Sequence, residues 1–203
     1  MLELFQQGGA FMWPILVCFV LGLAVSIERG ISLKRASVNT RKFLNDVTSA
    51  MDKGGIKSAL DVCQTTGGPV ASIFDAGLRR ADRGLEAVEK AIANAGSIEM
   101  AFLEKGMIWL STFITVAPML GFTGTVAGMV AAFDDIKKAN DISPSIVASG
   151  ISVALLTTLF GLIVAIILQL CHNYFISRID ALVIDMEEAS AELVDHLVAR
   201  EEK

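Results

Sequence analysis

Three long stretches of the chain carry no formally charged side chain: Leu4 to Ile27, Gly106 to Phe133, and Ile142 to Ser177. A helix rises ~1.5 Å per residue, so ~20 apolar residues cover the hydrocarbon of a bilayer, and each stretch is long enough. The pattern predicts three membrane-spanning helices. The first runs from about Gly9 to Ile27 and closes on Glu28 and Arg29, with Trp13 near its far end as a headgroup-level anchor. Between the first and second spans the apolar residues fall at helical spacing, most clearly Leu85, Val88, Ile92, Ala95, Ile98 and Phe102. With no breaker read between this seam and the second span, one helix is expected to run from Leu85 into the membrane. Gly54-Gly55 and Gly67-Gly68-Pro69 predict breaks earlier in the same segment. After the third span, Ile176, Ile179, Val183, Met186, Ser190, Leu193 and Leu197 make a heptad-like seam, either covering the 29–106 segment or entering a coiled coil. The pattern shows no strand, internal repeat or low-complexity segment.

Charge places these elements on the two sides of the membrane. Of 17 Lys and Arg, 12 fall between Arg29 and Gly106 and three after Ser177. Only Lys137 and Lys138 stand between the second and third spans, and none precedes the first. The positive-inside tendency puts the N-terminus and the turn outside, and the 29–106 segment and the C-terminus in the cytoplasm. The expected fold is an all-α integral membrane protein with three transmembrane helices and long cytoplasmic helical extensions. Its parts are 1–28 (outer N-terminal segment and first span), 29–106 (cytoplasmic helical domain), 107–133 (second span), 134–145 (short outer turn), 146–176 (third span) and 177–203 (cytoplasmic C-terminal helix). The first span has only Glu3 before it and lacks the positive n-region of a secretory signal, so it is expected to be retained.

Composition agrees with this class and excludes others. The chain is 53% hydrophobic and 19% charged, on the membrane side of the globular norm. A net charge of −5, with no basic stripe of interleaved aromatics, gives no reason to expect nucleic acid. Cys18, Cys63 and Cys171 are scattered and read as apolar filler. No metal ligand set, cofactor motif or catalytic constellation is present in the pattern. The Gly-Thr run of the second span lacks the lysine and the preceding strand of a phosphate loop.

The chemistry of the spans lies in small residues and hydroxyls. On a wheel of ~100° per residue, Ala117, Gly121, Gly124, Gly128 and Ala131 share one stripe of the second span. Gly150, Ala154, Thr157, Thr158, Gly161 and Ala165 share one of the third. Such stripes let helix backbones approach closely in lipid, and they are expected to hold identical subunits together in a ring. Thr125 and Thr158 either bond back to a carbonyl one turn earlier or face a polar lumen, to which Ser149 and Ser152 add hydroxyls. Thr157, ~100° from Thr158, is expected off that path. Ion-coupled membrane proteins normally carry a carboxylate or histidine at mid-membrane. Here Glu28, Asp134 and His172 all lie at or near span ends, so a titrating group would have to come from another polypeptide.

These residues resemble the ExbB/TolQ/MotA family of ion-driven membrane motors, nearest its three-span ExbB/TolQ branch. Met12-Trp-Pro-Ile-Leu16 and Ile27-Glu28-Arg29 are similar to the family's first span and its exit. Ala117-Pro118, Gly121, Gly124-Thr125-Val126 and Gly128 resemble its second span, and Gly150-Ile151, Ala154-Leu155, Thr158 and Gly161-Leu162 its third. Gly68-Pro69 to Leu78 follows a weaker loop pattern. The resemblance implies a homopentameric ring in a bacterial inner membrane, N-terminus periplasmic and C-terminus cytoplasmic. Its second and third spans would surround a pore holding two copies of a single-span ExbD- or TolR-like partner that supplies an aspartate. Ion flow past that aspartate would drive work on a TonB- or TolA-like protein. The chain departs from the pattern at Val153, where many relatives carry Glu or Gln, and at Ile167, where proline is common. Readings of another class are an oligomeric scaffold without ion flux and a transporter subunit. Three spans without an internal repeat argue against the transporter.

Overall fold

A computed structural model describes residues 2–37, 39–139 and 144–201. Its helices are α1 (Leu2–Gln7), α2 (Met12–Ala36), α3 (Thr40–Thr66), α4 (Pro69–Leu78), α5 (Leu85–Glu104), α6 (Met107–Ala139) and α7 (Pro144–Glu201), with a 3₁₀ turn at Ala81–Arg83. The described residues contain no strand. Three stretches are long and apolar enough to cross a membrane, one each within Met12–Thr66, Leu85–Lys138 and Val147–Ala199. The chain divides into two compact units, 1–29 with 106–174 and 30–105 with 175–203, so α2 and α7 contribute to both.

In the first unit the meeting faces of α6 and α7 are lined mainly by small residues, while many large apolar ones point outward. Trp13, Val17, Met119, Phe122, Val126, Phe133, Leu155, Leu159, Ile166 and Leu170 are exposed, whereas Ala117, Gly121, Gly124, Ala132, Ala154 and Gly161 are buried. Water would penalise that surface, but lipid does not, and close backbone approach is then the source of cohesion. α2 joins through Met12, Ile15, Cys18, Gly22 and Ser26, at three- and four-residue steps. A side chain at Gly22 would collide with Leu168 of α7, 2.5 Å away.

The stripes of α6 and α7 face each other within one chain. A Cβ on Gly161 would stand 2.6 Å from the Ala117 carbonyl oxygen, and one on Gly121 would stand 2.8 Å from that of Thr157. Gly124 lies against the Thr157 side chain, Gly128 against Ala154, and Gly150 against Ala132. This corrects the expectation that the stripes join subunits, because each is already occupied by the other. The segment expected as a turn from 134 is helical through Ala139, and the expected turn's residues 140–143 lie outside the described residues.

The second unit packs α3, α4, α5 and the later part of α7 around Phe43, Val47, Met51, Phe74, Leu78, Val88 and Leu193. Phe43 and Phe74 meet edge to face at 5.2 Å. α3 kinks at Gly55, and it ends at Gly67, whose φ of +66 favours glycine, before Pro69 opens α4 at a position that needs no N–H donor. Both breaks fall where the sequence signalled them.

The continuous helix expected from Leu85 into the second span is interrupted. α5 ends at Glu104, Lys105 is extended, and Gly106 takes φ +84 before α6 begins at Met107. That left-handed turn costs an L-residue ~1–2 kcal/mol, so Gly106 is the breaker that the apolar pattern hid. The buried side of α5 also drifts from the expected seam. It follows Val88, Ile92 and Leu103 with Gly96 half-buried between them, leaving Ile98 and Phe102 exposed. On α7 the buried seam is Phe175, Ile179, Leu182, Met186, Ala189, Leu193 and Leu197, so Phe175, Leu182 and Ala189 replace Ile176, Val183 and Ser190.

Two glycine substitutions should move stability in opposite directions. Gly161→Ala forces a Cβ against a backbone oxygen that cannot rotate away, and over-packing of this kind costs roughly 1–3 kcal/mol. Gly30→Ala places its Cβ in ordinary contact with the Phe175 ring, 3.8 Å away, inside α2. Alanine there gains about 0.5–1 kcal/mol of helix preference. Thermal unfolding in detergent should give a lower midpoint for the first and an equal or higher one for the second.

Candidate functional site

The closeness of α6 and α7 brings three hydroxyls onto two carbonyls. Thr125 Oγ1 lies 3.2 Å from the Gly121 oxygen on its own helix and 3.0 Å from the Ala154 oxygen on the other. Thr158 Oγ1 lies 3.2 Å from the Gly121 oxygen, across the helices. Thr157 Oγ1 reaches the Ala154 oxygen at 2.8 Å and the Gly121 oxygen at 3.2 Å. The hydroxyls of Thr125 and Thr158 also touch one another. These bonds cross between helices because the glycines leave both carbonyls uncovered.

Proton accounting fixes what this cluster can do. Each threonine has one O–H proton, and each carbonyl has one lone pair left after its helical N–H bond. Two protons therefore go to the carbonyls and the third to a neighbouring hydroxyl. All three donors are used internally, while the hydroxyl oxygens keep lone pairs. Thr157 is fully buried, so its acceptor capacity stays inside the packing, whereas Thr125 and Thr158 are half-buried. The pair can accept from water or coordinate a cation, but it cannot supply or remove a proton at neutral pH. Thr157, expected only to stand off the path, is the side chain that fills the space over Gly124.

The four hydroxyls suggested as one lining do not come together. Ser149 and Ser152 are exposed on α7. They stand nine and six residues before Thr158, which turns them about 180° and 120° away from it. Ser149 instead lines a cleft of about 490 Å³ with Gly128, Ala131, Ala132, Asp135, Gly150 and Val153. The pattern missed the clustering of Thr157 with Thr125 and Thr158, although the shared small-residue stripe held the signal.

Among the described residues no group of three His, Cys, Asp or Glu could hold a metal ion. Cys63 is buried, and burial followed by the negative charge of Asp75 pushes its thiol up to about 11, so it stays protonated and unreactive.

Comparison with known proteins bears on the same elements. Residues 66–188 match the model of the MotA/TolQ/ExbB proton channel family. An ExbB homolog, described as a biopolymer transport protein, from Methanothermobacter thermautotrophicus is 36% identical over 180 residues, covering 88% of this chain and 64% of the relative. The chain thus spans somewhat less than two thirds of that relative's length. A biopolymer transport protein described as ExbB-like 1, from Synechocystis sp., is 28% identical over 87% of the chain and 71% of its own length. The Tol-Pal system protein TolQ of Haemophilus influenzae is 28% identical over 89% of the chain and 86% of its own length. The family is described as a proton channel. With a family model over more than half its length and three apolar helices long enough to span, the chain is a multi-pass membrane protein that belongs to the MotA/TolQ/ExbB proton channel family.

Proposed function

We propose that the chain is the ring-forming, ExbB-like subunit of a motor in a bacterial inner membrane. In this reading a homopentamer surrounds an ExbD-like single-span dimer, and the proton (or sodium) motive force becomes work for TonB-type transport across the outer membrane. The observation that carries it is a mismatch within the spans. The Thr125–Thr158 pair offers acceptor oxygens in an apolar setting, yet the two uncharged runs that hold it contain no carboxylate. A proton path needs a group that titrates, and a partner's intramembrane aspartate would supply it. Because the α6 and α7 stripes are spent on each other, ring contacts would use the outward faces of the large apolar residues. The N-terminus and the α6–α7 connection would be periplasmic, and 29–106 and 177–203 cytoplasmic. A TolQ-like role in envelope maintenance, with a TolR-like partner, is the second reading, favoured by the match to TolQ over 89% of the chain.

Sidedness can be read by labelling. Lys138→Cys and Lys57→Cys introduce thiols at exposed positions of α6 and α3. A membrane-impermeant maleimide applied to intact spheroplasts should modify position 138 and spare position 57, and the reverse pattern overturns the topology.

The hydroxyls are tested by shape-conserving loss. An interhelical hydrogen bond inside a membrane averages about 0.6 kcal/mol, so the Thr125→Val, Thr158→Val double variant should still fold and co-purify with its single-span partner. Energy-dependent transport should fall, since a lumen without hydroxyls is a poor route for a proton or Na⁺. Full transport by the double variant would leave these threonines with packing alone.

A further inference from the structure

Between Ile142 and Ser177 the one side chain able to take a positive charge is His172, flanked by the ionisable Cys171 and Tyr174, and two side chains carry carboxamides, Gln169 and Asn173. The histidine and the two carboxamides lie within five consecutive residues of α7. Gln169 Nε2 donates to Asn173 Oδ1 at 2.8 Å, one turn apart and exposed. His172 is half-buried, with Nδ1 enclosed by protein and lacking a hydrogen-bond partner. Leaving a buried polar group unpaired costs about 1–3 kcal/mol, a cost that leucine or phenylalanine would not incur at this position. Packing alone does not call for a histidine there.

Their bearing on the helix connects them to the threonines. At ~100° per residue, Gln169 lies about 20° from the bearing of Thr158, with His172 about 40° to one side and Asn173 about 60° to the other. They stand ~16–22 Å further along the axis. With Thr158 near the middle of a ~30 Å hydrocarbon layer, that rise brings them to its edge. Gly22 of α2 packs at Leu168, and Ala117 of α6 packs at Gly161, which sets the levels of the neighbouring helices. The charged side chains of this unit at that end are Glu28 and Arg29 of α2, which pair with each other. The first two turns of α6, Met107 to Ile114, carry no charge, and α7 has none before Arg178.

We infer that His172, with the Gln169–Asn173 pair beside it, takes up the proton where the path on the Thr158 face leaves the span and passes it to water. The inference rests on the proton-channel reading proposed above. In the uptake step a hydronium O–H bond breaks as an N–H bond forms at Nε2, the ring nitrogen that protein does not enclose, leaving water and an imidazolium. In the release step the imidazolium loses the Nε2 proton to a second water, which becomes hydronium, while the bonding pair stays on nitrogen and the neutral ring returns. Gln169 and Asn173 are positioning residues. The Gln169 carbonyl oxygen and the Asn173 amide group, unused in their mutual bond, can hold water next to the ring.

The test uses the complex with its single-span partner in liposomes, with proton entry read by an enclosed pH dye under an imposed gradient. A positioned acid–base group contributes ~10²–10⁴-fold to a proton transfer, and water at the exit replaces part of that, so His172→Gln should lower flux roughly tenfold. The same variant should flatten the dependence of flux on pH at the C-terminal side. Added imidazole should restore flux to His172→Ala. A His172→Gln complex with wild-type flux and pH profile overturns the relay and leaves the channel reading in place. So does a loss in His172→Ala that imidazole does not relieve, since that marks packing. A wild-type complex that passes no protons removes the channel reading, and the relay with it.

Discussion

The approach of α6 to α7 is the constraint on which the rest of the first unit depends. In lipid no water is released when two apolar helices meet, so cohesion must come from atoms in contact and from bonds made across the interface. Gly161 against the Ala117 carbonyl and Gly121 against that of Thr157 bring the two backbones within reach of each other. The same absence of side chains uncovers the Gly121 carbonyl, and the threonines of the opposite helix then bond to it. Polar cluster and tight packing are thus one feature. A larger residue at 121 or 161 would separate the helices and remove the hydroxyl network together.

This origin explains the limits of the site. Threonines held by backbone carbonyls are fixed in place, and their protons are committed to internal acceptors. What they present outward is lone-pair density, suited to guiding a water or a partly dehydrated cation and unsuited to acid–base work. In the function proposed above, the titrating group would therefore come from a partner.

Much of this was legible in the sequence because membrane spans are written in consecutive residues. Three uncharged runs gave the three apolar helices, and the steps of Gly and Ala gave the faces along which two of them meet. Gly106 was not legible. It sits at the edge of an uncharged run, where it reads as one more small residue of a span, and only the backbone turn at φ +84 separates α5 from α6. The seams of α5 and α7 slipped by a residue because apolar side chains lie on both sides of the true face, and periodicity alone cannot choose between Phe175 and Ile176. Ser149 and Ser152 were grouped with Thr158 by composition, although nine and six residues of helical rotation carry them to other sides. That the stripes face each other inside one chain, and not between copies, is a property of topology that no wheel contains.

Val153 shows how the geometry constrains the path. The resemblance to the family leads one to look for a glutamate or glutamine there, and the chain has an aliphatic residue. Its position on α7 is five residues before Thr158, a rotation of about 140°. Val153 accordingly lines the cleft that holds Asp135 and Ser149, and its Cγ1 lies 3.6 Å from where a Cβ on Gly9 would stand. A polar side chain at 153 would thus serve the cleft at that end of the helices, and its absence leaves the Thr125–Thr158 contact as it is. With valine there, Asp135 and Ser149 are the polar side chains of the cleft, and both stand beside the α6–α7 connection. A route along the Thr158 face needs nothing from position 153, so the substitution is compatible with an ion path that runs on the threonine side alone.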